Sequence, residues 1–193
     1  MELNCIYSRA SEFRVIQETL ADLESINAGR YDVWLPDGIS SQSSPTDIRG
    51  AVEHELDPGA VATARAGLRN FFDRTAIDIE SFAERYATTP PTVLSVTLTR
   101  YGVGGYYELP NRIVINLRST WDTLESVFVH ELVHLLIEES VVQTLKLDDA
   151  AKEGLVDYLF LHDPILRALI PSYRPQTQVT PPSPELIQHI HNL

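Results

Sequence analysis

Apolar residues recur at steps of three and four near the start of the chain. Within residues 9–27 they form the series Phe13, Ile16, Leu20, Leu23 and Ile26. These steps place the five side chains on one face of an amphipathic helix. We therefore expect a single helix over residues 9–27 that packs through this face.

Residues 31–87 divide into three segments by the same criteria. Tyr31–Leu35 predicts a short strand, and residues 36–46 are rich in Ser, Pro and Gly, which predicts a loop. Residues 58–87 have a helical period that begins at Pro58, a favoured residue in a first helical turn. This last segment predicts either one broken helix or two successive helices.

Near the middle of the chain the pattern changes from helical to alternating. Every second residue is apolar at Leu94, Val96 and Leu98, which predicts a strand. Residues 101–117 follow, with several glycines and tyrosines, and we expect a hairpin that turns at residues 109–112.

The next segment is apolar on every side of a predicted helix. After a helix start predicted at residues 119–122, the run LESVFVHELVHLLIEES is apolar at most positions. A helix of this kind is buried. Only His130, Glu131 and His134 interrupt its central part, and they need partners there because burying an unpaired carboxylate costs several kcal/mol.

These three residues have the spacing of a zinc-binding motif. Four residues rotate a helix by about 400°, so His130 and His134 lie one turn apart on one face, where both imidazoles can bind one ion. Glu131 is displaced by about 100° and can take a proton from water beside the ion. The pattern is the HExxH of zinc peptidases, and it predicts a Zn²⁺ site.

A catalytic zinc site needs a third protein ligand and one open position. The metzincin pattern is excluded, because it requires Gly where Ile137 stands and His where Ser140 stands. Glu138 and Glu139 continue the same helix and would point along its axis, away from the ion. The third ligand is therefore expected further along the chain.

Glu153 is the downstream carboxylate that fits this position best. Asp148 can cap a second helix that carries both Glu153 and Asp157, four residues apart on one face. Asp157 can then accept a hydrogen bond from a ligand histidine. Gly154 has no side chain, which would allow the two helices to approach closely.

Together these residues resemble the gluzincin zinc metallopeptidases, whose pattern is HExxH followed by ExxxD. The chain has HELVH at residues 130–134 and EGLVD at residues 153–157. Its size is similar to that of the minigluzincins, and the resemblance covers residues 92–160. It implies zinc ligands at His130, His134 and Glu153, a general base and acid at Glu131, and a supporting carboxylate at Asp157.

A zincin-like fold of the α+β class is the expectation that goes with this resemblance. It has a small twisted mixed sheet, an antiparallel edge strand over the active-site helix, and a helical C-terminal lobe. Residues 1–175 would form one catalytic domain, with an upper lobe of about 1–139 and a lower lobe of about 140–175. Residues 176–193 would form a tail which, as in minigluzincins, can block the cleft and keep the enzyme latent.

The resemblance also implies residues that contact the substrate. An edge strand over residues 103–109 would hold an extended peptide by main-chain pairing. The expected contacts are Val103, Gly104, Gly105, Tyr106 and Tyr107. Some gluzincins use Tyr or His as a hydrogen-bond donor to the developing oxyanion, and the candidates here are Tyr158 and Tyr173.

Composition and charge narrow the range of partners. The chain has 193 residues, with 15 Lys and Arg against 27 Asp and Glu, and a net charge of −12. This balance argues against nucleic acid, whose phosphates bind clustered Lys and Arg, and it favours basic substrates. The single cysteine, Cys5, favours a cytoplasmic location. We expect neither a signal peptide nor a membrane span, because no suitable apolar run occurs.

Other interpretations of the same residues remain open. The two histidines could be satisfied by hydrogen bonds in a core, Glu153 could pair with Lys152, and Asp157 could lie on a solvated helix face. The predicted function is a zinc metallopeptidase that acts on peptide or protein substrates. The alternatives are a latent or non-catalytic zinc-binding regulatory module and a zinc hydrolase of a non-peptide amide.

Overall fold

The structure, a computed structural model, describes residues 1–29, 31–55, 57–119, 123–176 and 179–192. The strands within these ranges are β1 (Glu2–Ile6), β2 (Val93–Thr99), β3 (Gly105–Glu108) and β4 (Arg112–Asn116). The α-helices there are α1 (Arg9–Ala21), α2 (Leu23–Ala28), α3 (Pro45–Glu55), α4 (Pro58–Arg85), α5 (Leu124–Ile137), α6 (Asp149–His162), α7 (Pro164–Leu169) and α8 (Pro184–His191). A π-helical segment, Glu138–Gln143, directly follows α5.

The strands form one mixed sheet in the order β1-β2-β4-β3. β1, β2 and β4 are parallel, so that Val96 pairs with Cys5 on one side and with Ile113 on the other. β3 is antiparallel to β4 and lies at the edge of the sheet. The predicted mixed α+β architecture is thus confirmed, and so is the predicted hairpin.

Helices cover both faces of the sheet. Successive side chains of β2 point to opposite sides, so they contact helices on different faces. Leu94, Val96 and Leu98 belong to the main hydrophobic core together with residues of α4 and α5. Thr99 lies on the other face, where its hydroxyl donates a hydrogen bond to the buried Glu12 carboxylate of α1. As a result α5 lies beneath the sheet and contacts both β3 and β4.

Two N-terminal predictions are wrong. The expected single helix over residues 9–27 is divided into α1 and α2 at Asp22, a residue type that is unfavourable in helix interiors because its side chain competes for backbone hydrogen bonds. The expected strand Tyr31–Leu35 is reduced to one bridge between Trp34 and Gly102. Pro36 follows this segment directly and cannot donate a ladder hydrogen bond.

The segments around α3 and α4 also differ from expectation. The loop predicted for residues 36–46 is shorter, because α3 begins at Pro45. Residues 58–85 form α4 as one continuous helix of 28 residues. Gly67 in its interior is tolerated because neighbouring residues of α4, such as Leu68 and Phe71, are buried in the main core.

The C-terminal helices pack against the same core. Asp163 is buried between α6 and α7, where it accepts hydrogen bonds from Arg85 Nη1 at 2.9 Å and from the Tyr86 hydroxyl at 3.0 Å. Ile190 of α8 is 3% exposed and belongs to the main core. Among the described residues, no helix has both the length and the apolar character needed to span a bilayer.

Candidate metal centre

Helix α5 carries the HExxH residues through the centre of the molecule. The side chain of Thr123 caps its first turn by accepting a hydrogen bond from Ser126 N at 3.2 Å. The sequence predicts a helix start at residues 119–122. Apart from Ser119, these residues lie outside the described ranges. Every residue of α5 from Ser126 to Ile137 is buried, as the apolar pattern predicts. His130, Glu131 and His134 are therefore held in a rigid, largely dry environment.

Three side-chain donors converge next to this helix. His130 Nε2 and His134 Nε2 lie 3.1 Å apart, and Glu153 Oε2 lies 3.3 Å from the first and 3.1 Å from the second. A zinc ion bound tetrahedrally at about 2.0–2.1 Å separates its ligand atoms by about 3.3 Å. Both the chemistry and the spacing of this donor set therefore fit a zinc ion, and other divalent cations can bind such donors as well.

Helix α6 brings Glu153 to the two histidines. Asp148 caps α6 by accepting a hydrogen bond from Ala151 N at 2.8 Å, which is the cap expected from the sequence. Gly154 has a different neighbour from the expected one. A Cβ at Gly154 would lie 1.8 Å from Thr180 O, so its missing side chain makes room for the C-terminal segment and not for helix α5.

The ionisation of Glu153 and His134 suits metal binding, whereas the hydrogen bond with Glu153 outweighs burial and raises the pKa of His130. Although burial alone would raise the pKa of Glu153, the hydrogen bonds with His130 and His134 hold that pKa well below its usual range. Burial lowers the pKa of His134 to about 4. Glu153 is therefore anionic and His134 neutral near pH 7, which are the forms that bind metal ions.

The hydroxyl of Tyr173 lies between Asp157 and His130. Asp157 Oδ1 accepts a hydrogen bond of 2.5 Å from the Tyr173 hydroxyl, and that hydroxyl lies 3.0 Å from His130 Nδ1. A proton on Nδ1 would donate to Tyr173 and leave Nε2 free to face the other donors. Tyr173 thus relays the support that was expected from Asp157 directly.

Tyr158, one of the two candidate oxyanion donors, lies away from the metal site. The Tyr158 ring lies 4.3 Å from the His162 ring, centroid to centroid, and does not line the cleft at the metal site. Tyr173 is close to the site, but its hydroxyl is directed at Nδ1 of His130, the nitrogen that faces away from the other donors. The geometry thus favours a supporting role for Tyr173, and the oxyanion donor remains a prediction without a geometric candidate.

The motif carboxylate, Glu131, is buried and lies at the cleft. It is 7% exposed, it lines the cleft, and no hydrogen bond reaches its carboxylate from the described residues. Burial raises its pKa to about 7. A carboxyl group with such a pKa can both accept and release a proton near neutral pH.

A cleft of about 720 Å³ opens over these residues. The predicted edge-strand residues Val103, Gly104, Gly105, Tyr106 and Tyr107 all line it. The first two precede β3, whose edge begins at Gly105, and Gly104 O is already bonded to Asn116 N of β4 at 3.0 Å. By the alternation of an antiparallel ladder, the backbone groups of Gly105 and Tyr107 point away from β4, towards the cleft.

Gln176 lies directly over the metal donors. Its side-chain Nε2 is 2.7 Å from Glu153 Oε2 and 3.3 Å from His130 Nε2, and its backbone N–H donates to Asp157 Oδ2 at 2.9 Å. Beyond residues 177 and 178, which are outside the described ranges, Thr180 N donates to Ala150 O of α6 at 3.0 Å. The sequence predicts that the tail can block the cleft. It does not single out Gln176, because nothing distinguishes this residue from other polar residues of the tail.

In comparisons with known proteins, no protein-family model, curated protein or solved structure matches the chain. The assignment of the site therefore depends on the donor geometry and on the resemblance of its motif to the gluzincins.

Proposed function

We propose that this chain is a zinc-dependent metallopeptidase of the gluzincin type. The observation that carries the proposal is the convergence of His130, His134 and Glu153 with an unpartnered, buried Glu131 at the floor of an open cleft. A purely structural pair of histidines would not require a carboxylate beside it that lacks a hydrogen-bond donor. The donor set explains metal binding, and Glu131 explains why the site would be catalytic.

The proposed chemistry divides between the ion and the protein. Zinc at the three donors would polarise the scissile carbonyl and make water acidic enough to react near neutral pH. Glu131 accepts a proton from water as the water oxygen bonds to the carbonyl carbon, and delivers it to the amide nitrogen as the C–N bond breaks. Tyr173 and Asp157 keep the proton of His130 on Nδ1 throughout.

The position of β3 supports a peptide as the substrate. β3 is an antiparallel edge strand next to α5, as in the zincin-like architecture that we propose for this chain. Its outward backbone groups can pair with an extended peptide, because an edge strand has unsatisfied donors and acceptors. A peptide held there would pass beside Glu131, since a Cβ at Gly105 would lie 2.9 Å from Glu131 Oε1.

The charge of the cleft favours cationic peptides. Asp22, Asp32 and Glu138 line it, and none of them forms an ion pair within the part of the chain that the structure describes. The one Lys that lines it, Lys152, is paired with Asp149 at 3.3 Å. A cleft with an excess of one sign of charge concentrates ligands of the opposite sign, so we extend the proposal to substrates with Lys or Arg near the scissile bond.

Gln176 favours a second, related function. Its amide covers the donors and its backbone is held by Asp157, so a substrate carbonyl cannot reach the same position until the segment moves. The chain is then either a latent peptidase or a zinc-binding module that Gln176 keeps closed permanently. The two differ in whether hydrolysis appears when this side chain is removed.

The decisive experiment combines metal analysis with peptide hydrolysis. We expect the purified chain to contain zinc and Gln176→Ala to hydrolyse a peptide library faster than the natural sequence. A point substitution is preferable to deletion of residues 176–193, because deletion would remove Ile190 from the core. Adding Glu131→Gln to Gln176→Ala should retain zinc and abolish hydrolysis, whereas the exposed Glu139→Gln should leave it unchanged. A zinc-loaded Gln176→Ala protein that cleaves nothing would refute the peptidase and support the closed module.

A further inference from the structure

One face of β3 lies against the motif residues of α5. Side chains alternate along a strand, so Gly105 and Tyr107 lie on the α5 side and Tyr106 on the α1 side. The Tyr106 hydroxyl donates to Glu18 of α1 at 2.7 Å. On the α5 side, a Cβ at Gly105 would lie 2.9 Å from Glu131 Oε1. The strand that borders the cleft therefore also contacts the metal-binding helix.

Tyr107 stacks on the second ligand histidine. The centroids of the Tyr107 and His134 rings are 5.3 Å apart and their planes differ by 5°. The Tyr107 hydroxyl donates to Glu138 Oε2 at 2.6 Å, and Lys152 Nζ lies 5.4 Å from the centroid of its ring. The orientation of the Tyr107 ring is thus fixed by residues from α5, from the π-helical segment and from α6.

The two ligand histidines differ in how their second nitrogen is held. His130 Nδ1 lies 3.0 Å from the Tyr173 hydroxyl, whereas His134 Nδ1 is buried without a hydrogen-bond partner in the described ranges. Metal-binding histidines almost always donate this N–H to a carboxylate, a carbonyl or water, and that hydrogen bond fixes the ring orientation. The structure shows no such bond for His134, so its ring must be oriented in another way.

We propose that Tyr107 is the positioning residue for His134: its stacked ring replaces the missing hydrogen bond and keeps Nε2 directed at the metal. The parallel contact opposes rotation of the imidazole about its Cβ–Cγ bond, because a tilted ring would lose its stacking on Tyr107. The inference rests on the metal site of the proposed function, but it does not require peptidase activity. It also gives Tyr107 a role separate from substrate contact.

Zinc affinity of the full chain tests this role. Loss of the groups that orient a ligand typically weakens metal binding 10- to 100-fold, so we expect Tyr107→Leu to bind zinc about 10-fold more weakly in competition with a chromophoric chelator. Tyr107→Phe retains the ring and should bind as the natural sequence does. Tyr106→Leu is the matched control, because it removes a neighbouring ring of the same strand on the opposite face.

The Co²⁺-substituted protein provides a second readout, since the visible absorption of Co²⁺ reports ligand geometry. We expect an altered spectrum for Tyr107→Leu and unchanged spectra for Tyr107→Phe and Tyr106→Leu. If Tyr107→Leu does not fold, as judged by circular dichroism, Tyr107→Val takes its place, because β-branched residues suit strands.

Several results would overturn the inference. Natural affinity and spectrum in the aliphatic variant would show that stacking does not orient His134. Equal losses in Tyr107→Phe and Tyr107→Leu would assign the effect to the hydrogen bond with Glu138 instead. Absence of zinc binding in the natural sequence would remove the metal centre and this inference together, whereas zinc binding without peptide hydrolysis in Gln176→Ala would refute only the peptidase.

Discussion

Gly154 allows a direct test of how the C-terminal segment is held over the cleft. A Cβ there would lie 1.8 Å from Thr180 O, a backbone atom that can move only with its segment. Gly154→Ala gains about 0.5–1 kcal/mol of helix propensity. It loses the hydrogen bond from Thr180 N to Ala150 O, about 1 kcal/mol, and, if α8 detaches, the burial of Ile190, about 2 kcal/mol.

The net expectation for Gly154→Ala is a loss of about 2 kcal/mol in the free energy of unfolding, which lowers Tm by about 4–8 °C in a chain of this length. Thermal unfolding followed by circular dichroism measures this change. Gly67→Ala is the control, because nothing lies within 4 Å of a Cβ at that position of α4, and it should gain about 0.5–1 kcal/mol.

The same substitution should also uncover the metal donors. Thr180 and Gln176 belong to one segment, so displacing the first is expected to withdraw the second from Glu153 and to raise peptide hydrolysis by the zinc-loaded chain. Equal gains in Tm for Gly154→Ala and Gly67→Ala, with unchanged hydrolysis in both, would refute this account of the packing.

Three other substitutions probe the metal donors, the charge of the cleft and the junction of the last helices. Glu153→Ala should reduce the zinc content of the purified chain to background, and an unchanged content would exclude Glu153 as a ligand. Asp32→Asn should raise KM for a Lys-containing peptide roughly twofold at low salt and less at high salt, where charges are screened, while Asp78→Asn on α4 should not. Asp163→Ala should cost about 3 kcal/mol of stability, seen as a lower Tm, because it leaves buried donors unpaired, and zinc affinity should persist.

The central helix and its motif could be predicted because they depend on local pattern alone. A helix that is apolar on every side is stable only when it is buried. A step of four residues places His130 and His134 on the same face of any α-helix. The same logic found Glu153, since the Asp148 cap fixes where α6 begins. The structure brings these donors together.

The contacts that complete the site could not be predicted, because they join segments distant in sequence. Tyr173 lies between His130 and Asp157 only after the chain has passed through α6 and α7. Gln176 reaches Glu153 for the same reason, and Gly154 makes room for Thr180 and not for a helix. Local spacing carries no information about such pairings, which depend on how the last segment packs.

The different roles proposed for the two glutamates likewise follow from neighbours that the motif does not contain. Glu153 lies within hydrogen-bond distance of both histidines, which favours its charged form and suits a permanent ligand. Glu131 lies beside Gly105 of β3, which offers no side chain, and burial favours the protonated form of Glu131, which suits a group that exchanges protons. Pairs of carboxylates in one site commonly divide their roles when the surroundings separate their pKa values. A side chain at residue 105 would crowd Glu131 while leaving the donors of Glu153 in place, so the conformation of β3 bears on the proposed base and not on the proposed third ligand.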